Sequence, residues 1–362
     1  MAVRPFADRH RVYEVLMLMR RFAPLVFLAV ALLAASVIGC AGVRRSGETG
    51  DDEGPVGVRT LAIVDAERGR ELTTEVWYPA ATGPESSQGY MYFYRSGSAA
   101  RDAAPKPGKH PLIVVSHGSG GTRFDQAWLA ERLAARGFVV AATTHPGNAY
   151  ASDDPYVSLR IWERPQDVRF VIDALLVDDT FAPVIDPQRI GAAGHSMGGY
   201  TVLAVGGARY DVHRARRHCA ATDRDPPCKL VPDVDKSRID YGPSDDSYKD
   251  PRVKAIMAFA PAVGPGLNPD SISDVDADVH IVAARHDQLT PFPFHAQAWA
   301  TALDAELTVL GEADHYSFVS PCLPFIKLWP WANACRDPDG LDRQQLHRRL
   351  AGLAASYFKQ RL

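Results

Sequence analysis

The chain has 362 residues, 46% of them hydrophobic, which is enough for one large core or one core with a modest cap. Its formal net charge is −3, and it has no Lys/Arg-rich run or basic stripe. That excludes the electrostatic footprint of a nucleic-acid-binding protein.

In chain order, the first feature is an apolar run over residues 22–38, FAPLVFLAVALLAASVI, preceded by Met19-Arg20-Arg21 and followed by Gly39-Cys40. A basic start, a short apolar stretch and a small residue before a cut predict an export signal. Val37-Ile38-Gly39-Cys40 resembles the lipobox of bacterial lipoproteins, in which the Cys is lipidated and becomes the first mature residue. The alternative is an uncleaved anchor, for which a run of roughly 17 residues is the lower edge of a span. The expected organisation is a lipoprotein-type signal over 1–39, with Met19 as an alternative start. A polar, acidic, flexible tether over 40–57 and a folded domain over 58–362 follow. Such a protein is exported and held at the bacterial cell envelope, on the periplasmic or surface face, by membrane attachment through Cys40. Cys219, Cys228, Cys322 and Cys335 then remain, an even number for an oxidising compartment. Of the three possible pairings, the two short loops Cys219–Cys228 and Cys322–Cys335 are favoured. No CxxC spacing suggests zinc.

VRTLAIVD and ELTTEVWYP, around Arg68-Gly69-Arg70, predict an N-terminal hairpin. A Gly/Ser/Pro-rich loop fills 80–110. HPLIVVSHG reads as a doubly covered parallel strand. Residues 124–136 have helical spacing, FVVAATT is a strand, and 163–177 is a helix with Pro165 in its first turn. IGAAG is a short strand, Ser196 to Gly207 opens a helix, and VKAIMAFA and DVHIVAA are buried strands. Residues 292–303 look helical, ELTVL is the last strand, and 341–361 is a closing amphipathic helix. Alternating strands and helices predict an α/β fold with a mostly parallel, doubly wound sheet. The polar, aperiodic stretch 209–250 interrupts it, either as a cap over the site or as a disulfide-pinned surface loop.

Gly194-His195-Ser196-Met197-Gly198 matches the G-x-S-x-G nucleophile elbow, in which a serine sits on a tight strand-to-helix turn with its hydroxyl exposed. Both glycines are expected where a Cβ would collide with neighbouring backbone, and the helix that follows aims its first amides at developing negative charge. This context predicts an α/β-hydrolase fold with Ser196 as nucleophile. Ser116-His117-Gly118-Ser119-Gly120-Gly121 follows the strand whose end supplies one oxyanion-hole amide in that fold. That amide is assigned to Ser119, with Gly118 as the alternative, and the second to Met197. His117 precedes the nucleophile and is read as structuring the loop. The acid must follow the nucleophile. Asp287 lies at the carboxyl end of VHIVAA, whereas the preceding strand ends in Ala260, Pro261 and Ala262. The base is expected after the last strand, at His315. His286 adjoins the acid, His295 is read as lying inside a helix, and Asp314 as a solvated loop residue. A Ser–His–Asp triad supplies its own base, so no cofactor or metal is implied.

SHGSGG, GHSMGGYT, WERPQDVRFVIDAL, RHDQLTP and ADHYSF together resemble bacterial dienelactone hydrolase-like and platelet-activating factor acetylhydrolase-like proteins, over about residues 110–335. Ser stands at 196 where dienelactone hydrolases use Cys, and Pro261 stands where the acetylhydrolases carry their acid. The placement of Ser196, Asp287 and His315 is similar to that of cutinases. The resemblance implies an esterase or lipase acting on short to medium acyl esters, with polyesters or acetylated phospholipids as alternative substrates. A ligand-binding lipoprotein is the non-enzymatic alternative, for which an ordered Ser, Asp and His would be unnecessary. The run Tyr90–Tyr94 reads either as packing under a loop or as part of an acyl pocket. Trp162, Trp329 and Trp331 are similarly open, the last two as a substrate-facing rim.

Overall fold

The structure is a computed structural model that describes residues 53–82, 94, 97–231, 233–328 and 332–362. The expected signal, Cys40, most of the tether, Tyr90 to Phe93, Trp329 and Trp331 lie outside the described residues.

The strands are β1 (Val56–Asp65), β2 (Arg70–Pro79), β3 (Ala100–Arg101), β4 (His110–Ser116), β5 (Val139–Thr143), the small pair β6 (Asn148–Ala149) and β7 (Ser152–Asp153), β8 (Ile185–His195), β9 (Val253–Phe259), β10 (Asp278–Ala284) and β11 (Glu306–Leu310). The α-helices are α1 (Ala127–Ala135), α2 (Pro155–Leu159), α3 (Glu163–Leu175), α4 (Met197–Gly206), α5 (Val212–Ala221), α6 (Pro227–Leu230), α7 (Ala296–Leu303) and α8 (Arg343–Arg361). The main sheet runs β11-β10-β9-β8-β4-β5-β2-β1-β3. From β11 to β5 every pairing is parallel, and the hairpin of β1 and β2 closes onto β5 antiparallel. The central strands read as unbroken apolar runs because both their faces are covered. Leu112 to Val115 of β4 and Ala255 to Phe259 of β9 are all buried.

Two cores lie on the two faces of the sheet. One packs Val168, Val171 and Leu175 of α3, Val202 and Leu203 of α4 and Trp299 of α7 against it. The other packs Leu129 and Leu133 of α1 and Leu350 and Phe358 of α8. This is the α/β-hydrolase architecture, doubly wound as the alternating pattern implies. The hairpin, the strands and the helices fall near expectation, except that β8 begins at Ile185, well before the expected IGAAG, and β3 lies within the expected 80–110 loop.

Three local readings need correction. Residues 209–250 contain a regular helix, α5, capped by Asp211, whose carboxylate accepts from the His213 and Arg214 amides. Its sequence, VHRARRHCAA, escapes an apolar-stripe reading because Val212 is its buried residue. His295 caps α7 and does not lie inside it. Asp314 is not a solvated loop residue: its carboxylate accepts from the Ser317 amide and hydroxyl, and Ser317 Oγ accepts in return from the Asp314 amide, a reciprocal cap.

Candidate active site

β8 ends at His195, and the chain turns straight into α4. Ser196 sits at that corner with φ 57° and ψ −117°, a conformation that L-residues avoid and that the surroundings must hold. The flanking glycines explain how the corner closes. A Cβ at Gly194 would stand 2.1 Å from the Gly198 carbonyl oxygen, and a Cβ at Gly198 would stand 1.9 Å from the Ser116 carbonyl oxygen. Both are steric exclusions by backbone, which cannot move aside.

The structure brings Ser196, His315 and Asp287 together although 119 residues separate the first pair. Ser196 Oγ lies 3.0 Å from His315 Nε2, and His315 Nδ1 lies 2.7 Å from Asp287 Oδ2. With Nδ1–H donating to the carboxylate, Nε2 is left to accept from the serine. Asp287 stands at the carboxyl end of β10. Its Oδ1 accepts from the Leu289 and Thr290 amides at 2.8 and 2.7 Å, and Oδ2 accepts from Thr290 Oγ1 at 2.8 Å. Burial alone would raise this carboxyl, but the bonds from His315 and Thr290 outweigh it and hold Asp287 below its ordinary range. Thr290 is a contributor that sequence reasoning missed, although it is the Thr of the RHDQLTP motif.

The turn carrying His315 is fastened from the body. His195 Nε2–H donates to the His315 carbonyl at 2.9 Å, His347 Nε2–H to the Ser317 carbonyl at 2.8 Å, and Trp128 Nε1–H to the Phe318 carbonyl at 2.8 Å. Burial pushes His195 down to about 3. Burial pushes His347 down to about 3 as well, so both rings stay neutral donors at ordinary pH. His347 also stacks on Trp128, with ring centroids 4.0 Å apart. None of these clamps is signalled by local pattern, because each joins residues far apart in the chain.

Met197 opens α4, so its amide is among the first-turn N–H groups that no helical carbonyl reaches. Gly118 and Ser119 lie in the loop after β4 and line the same cavity as Ser196 and Met197. Their placement suits an oxyanion hole, with Ser119 or Gly118 as the first donor. His117 is 1% exposed and bonds to the Gly118 carbonyl and the His145 amide, which fits its reading as a loop-structuring residue.

The cavity is about 1060 Å³. Tyr210, Val212, Arg216 and Tyr241 from the 209–250 stretch form one wall, and Leu289, Tyr316, Val319 and Ile326 others. Tyr94 also lines it, donating its hydroxyl to Asp125 at 3.0 Å. Trp162 is instead a core residue, 3% exposed. Cys219 pairs with Cys228 and Cys322 with Cys335, the two short loops. Among the described residues His218, Asp225 and Cys228 cluster in the spacing of a metal site. The Cys228 sulfur is committed to its disulfide, however, and Asp225 bridges His218 and His295, each at 2.9 Å.

A family model described as platelet-activating factor acetylhydrolase, isoform II, matches residues 95–156, the stretch that holds the loop after β4. Cutinase est2 of Thermobifida alba is 33% identical over 105 residues, 28% of this chain and 32% of that protein. Lipase 1 of Moraxella sp. (strain TA144) is 38% identical over 85 residues, 24% of each. The chain thus spans about a third or less of the curated relatives it matches. The structure of a ferulic acid esterase from Streptomyces cinnamoneus superposes with a TM-score of 0.58 at 20% identity, covering 90% of this chain and 92% of that one. The fold is therefore that of the α/β-hydrolases, and the local sequence similarity is to enzymes of the acetylhydrolase, cutinase and lipase kind.

Proposed function

We propose that the protein is a serine carboxylic ester hydrolase that works through an acyl-enzyme, on esters of short to medium acyl groups. The observation that carries this reading is the relay Ser196 Oγ–His315 Nε2 at 3.0 Å and His315 Nδ1–Asp287 at 2.7 Å, opening onto a largely apolar cavity. His315 takes the Ser196 proton as Oγ bonds to the ester carbonyl carbon. Negative charge moves to the carbonyl oxygen, which the Ser119 and Met197 amides receive. As the tetrahedral centre collapses, the bond to the alcohol oxygen breaks and His315 returns the proton to that oxygen. Water then attacks the acyl-enzyme, giving its proton to His315. The acid leaves as Ser196 recovers the proton. Asp287 stays ionised and stabilises the imidazolium.

The partial similarity to a cutinase and a lipase supports esters over amides. Exposed apolar residues at the cavity mouth, Leu230 and Val231, favour apolar substrates, including polyester chains as a second class. Two disulfides support export, and with the Gly39-Cys40 pattern they support a lipid-anchored protein at the cell envelope. The test compares esters of acetate, butyrate and longer acids with the matching anilides. Turnover of the esters with a falling response beyond medium chains is expected. Equal or faster cleavage of the anilides would replace the ester reading with an amidase.

A further inference from the structure

Behind the loop after β4 lies a buried polar cluster that the triad does not use. Arg164 of α3 is 2% exposed. Among the described residues no carboxylate stands within ion-pair distance of it, so its charge is directed at neutral acceptors. Nη2 donates to the His117 carbonyl and, at 3.4 Å, to Ser116 Oγ, while Nη1 donates to Asn148 Oδ1 at 3.1 Å. Asn148 Nδ2 in turn donates to Ser119 Oγ and Ser158 Oγ, both at 3.0 Å. The His117 ring is fixed from the other side. The His145 amide donates to His117 Nε2 at 3.1 Å, so that nitrogen carries no proton and Nδ1 does. Nδ1–H donates to the Gly118 carbonyl at 2.6 Å, and the Gly121 amide donates to the same oxygen at 3.1 Å. His145 is itself anchored through Nδ1 to Asp167 at 2.9 Å, and Asp167 is bound by Arg70.

The carbonyls of two consecutive peptides, 117–118 and 118–119, are therefore both pinned. In a planar trans peptide the N–H points opposite the carbonyl. Pinning the Gly118 carbonyl thus sets the direction of the Ser119 N–H. We propose that Arg164, His117 and Asn148 form a buried clamp that orients the Ser119 amide toward the oxyanion, making them positioning residues for the reaction. The inference rests on the ester hydrolase reading above. Burial, and next the charge of Arg164, keep the His117 ring well below its usual range, so it remains neutral and holds this tautomer. Burial also lowers Arg164, to about 9, which leaves it cationic at neutral pH. A lysine cannot replace it, since one ammonium cannot serve the carbonyl and the Asn148 amide in the same fork. Misplacing a preorganised donor weakens transition-state stabilisation without weakening ground-state binding.

The test is the rate of covalent labelling by a fluorophosphonate, whose phosphoryl oxygen enters the same hole, measured beside kcat and KM on p-nitrophenyl acetate. Arg164→Met and His117→Phe, folded by circular dichroism, are expected to be labelled roughly 10- to 100-fold more slowly, with kcat falling in parallel and KM unchanged. Arg164→Lys should recover only part of the loss. Labelling at the wild-type rate would overturn the clamp, leaving the cluster a matter of stability alone. Should both core variants fail to fold, Asn148→Ala removes three side-chain hydrogen bonds while leaving Arg164 bound to the His117 carbonyl. A several-fold slower labelling supports the clamp, and an unchanged rate overturns it. If the wild type is labelled but hydrolyses no ester, the ester reading fails while the labelling rates still judge the clamp.

Discussion

The turn carrying His315 and the stretch 209–250 face the same cavity but are held in different ways. The turn is bonded to the body through buried donors on β8, α1 and α8, backed by the reciprocal cap of Asp314 and Ser317. The 209–250 wall is tied mostly to loop segments, with the Asp211 amide donating to the Gly266 carbonyl and Asn268 Nδ2 to Asp245. Its disulfide is local, Arg238 lies over the Tyr156 ring at 4.7 Å, and Asp225 reaches His295 across to the start of α7. The difference matches what each part does in the proposed reaction. A base displaced by about 1 Å loses its near-attack geometry, while a wall that shapes the substrate pocket can shift and still admit substrate.

The sharpest way to break this comparison is His347→Ala. It deletes a buried ring, its stack on Trp128 and its bond to the Ser317 carbonyl. A loss of about 2–4 kcal/mol in urea unfolding is expected, with a clear drop in kcat per titrated active site. Unchanged kcat in the folded protein would mean that the turn needs no such fastening. On the wall, the pair Cys219→Ser with Cys228→Ser opens a loop of sequence separation 9. The chain-entropy model gives a cost of roughly 2–3 kcal/mol. Hydrogen exchange should rise mainly within 212–230, and KM should change more than kcat. Uniform loss of protection across the sheet would show that the wall is integral to the core.

Asp225→Asn is expected to cost less, about 1–2 kcal/mol, and to carry a pH signature. Burial raises this carboxyl, but the bonds from His295 and His218 outweigh it and hold Asp225 below its ordinary range. Its contribution is therefore full above the unfolded carboxylate value of about 3.9 and is lost as pH falls through the lower folded value. The wild-type advantage over the Asp225→Asn variant should vanish in acid, and a gap that persists there would contradict the account. Asp125 has the opposite sign. Burial raises it to about 6, so its contribution is present below about 3.9 and lost as pH rises through about 6. Asp125→Asn should flatten the melting temperature between those pH values, a small effect visible by differential scanning calorimetry.

Much of this was legible in the sequence for identifiable reasons. The elbow is local, because Gly194 and Gly198 answer to backbone within a few ångströms. Asp287 and His315 follow from strand order, since each stands beyond the carboxyl end of a strand, the buried β10 and the edge strand β11. The clamps were not legible, because tertiary contacts make them. Even so, Arg164 and Asp167 share the face of α3 that carries Val168, Val171 and Leu175. Charges on an apolar stripe are the one local trace of the buried cluster. The helix α5 was hidden because its polar faces look out on solvent and the cavity, leaving little hydrophobic period to read.

The central claim is that Ser196 is the nucleophile, activated by His315 and Asp287. Its most direct test is intact-protein and peptide mass spectrometry after fluorophosphonate treatment, alongside ester turnover by Ser196→Ala. The account predicts a single adduct on Ser196 and a fall in turnover by several orders of magnitude in the alanine variant. An adduct at another residue, or Ser196→Ala retaining wild-type turnover, would contradict it.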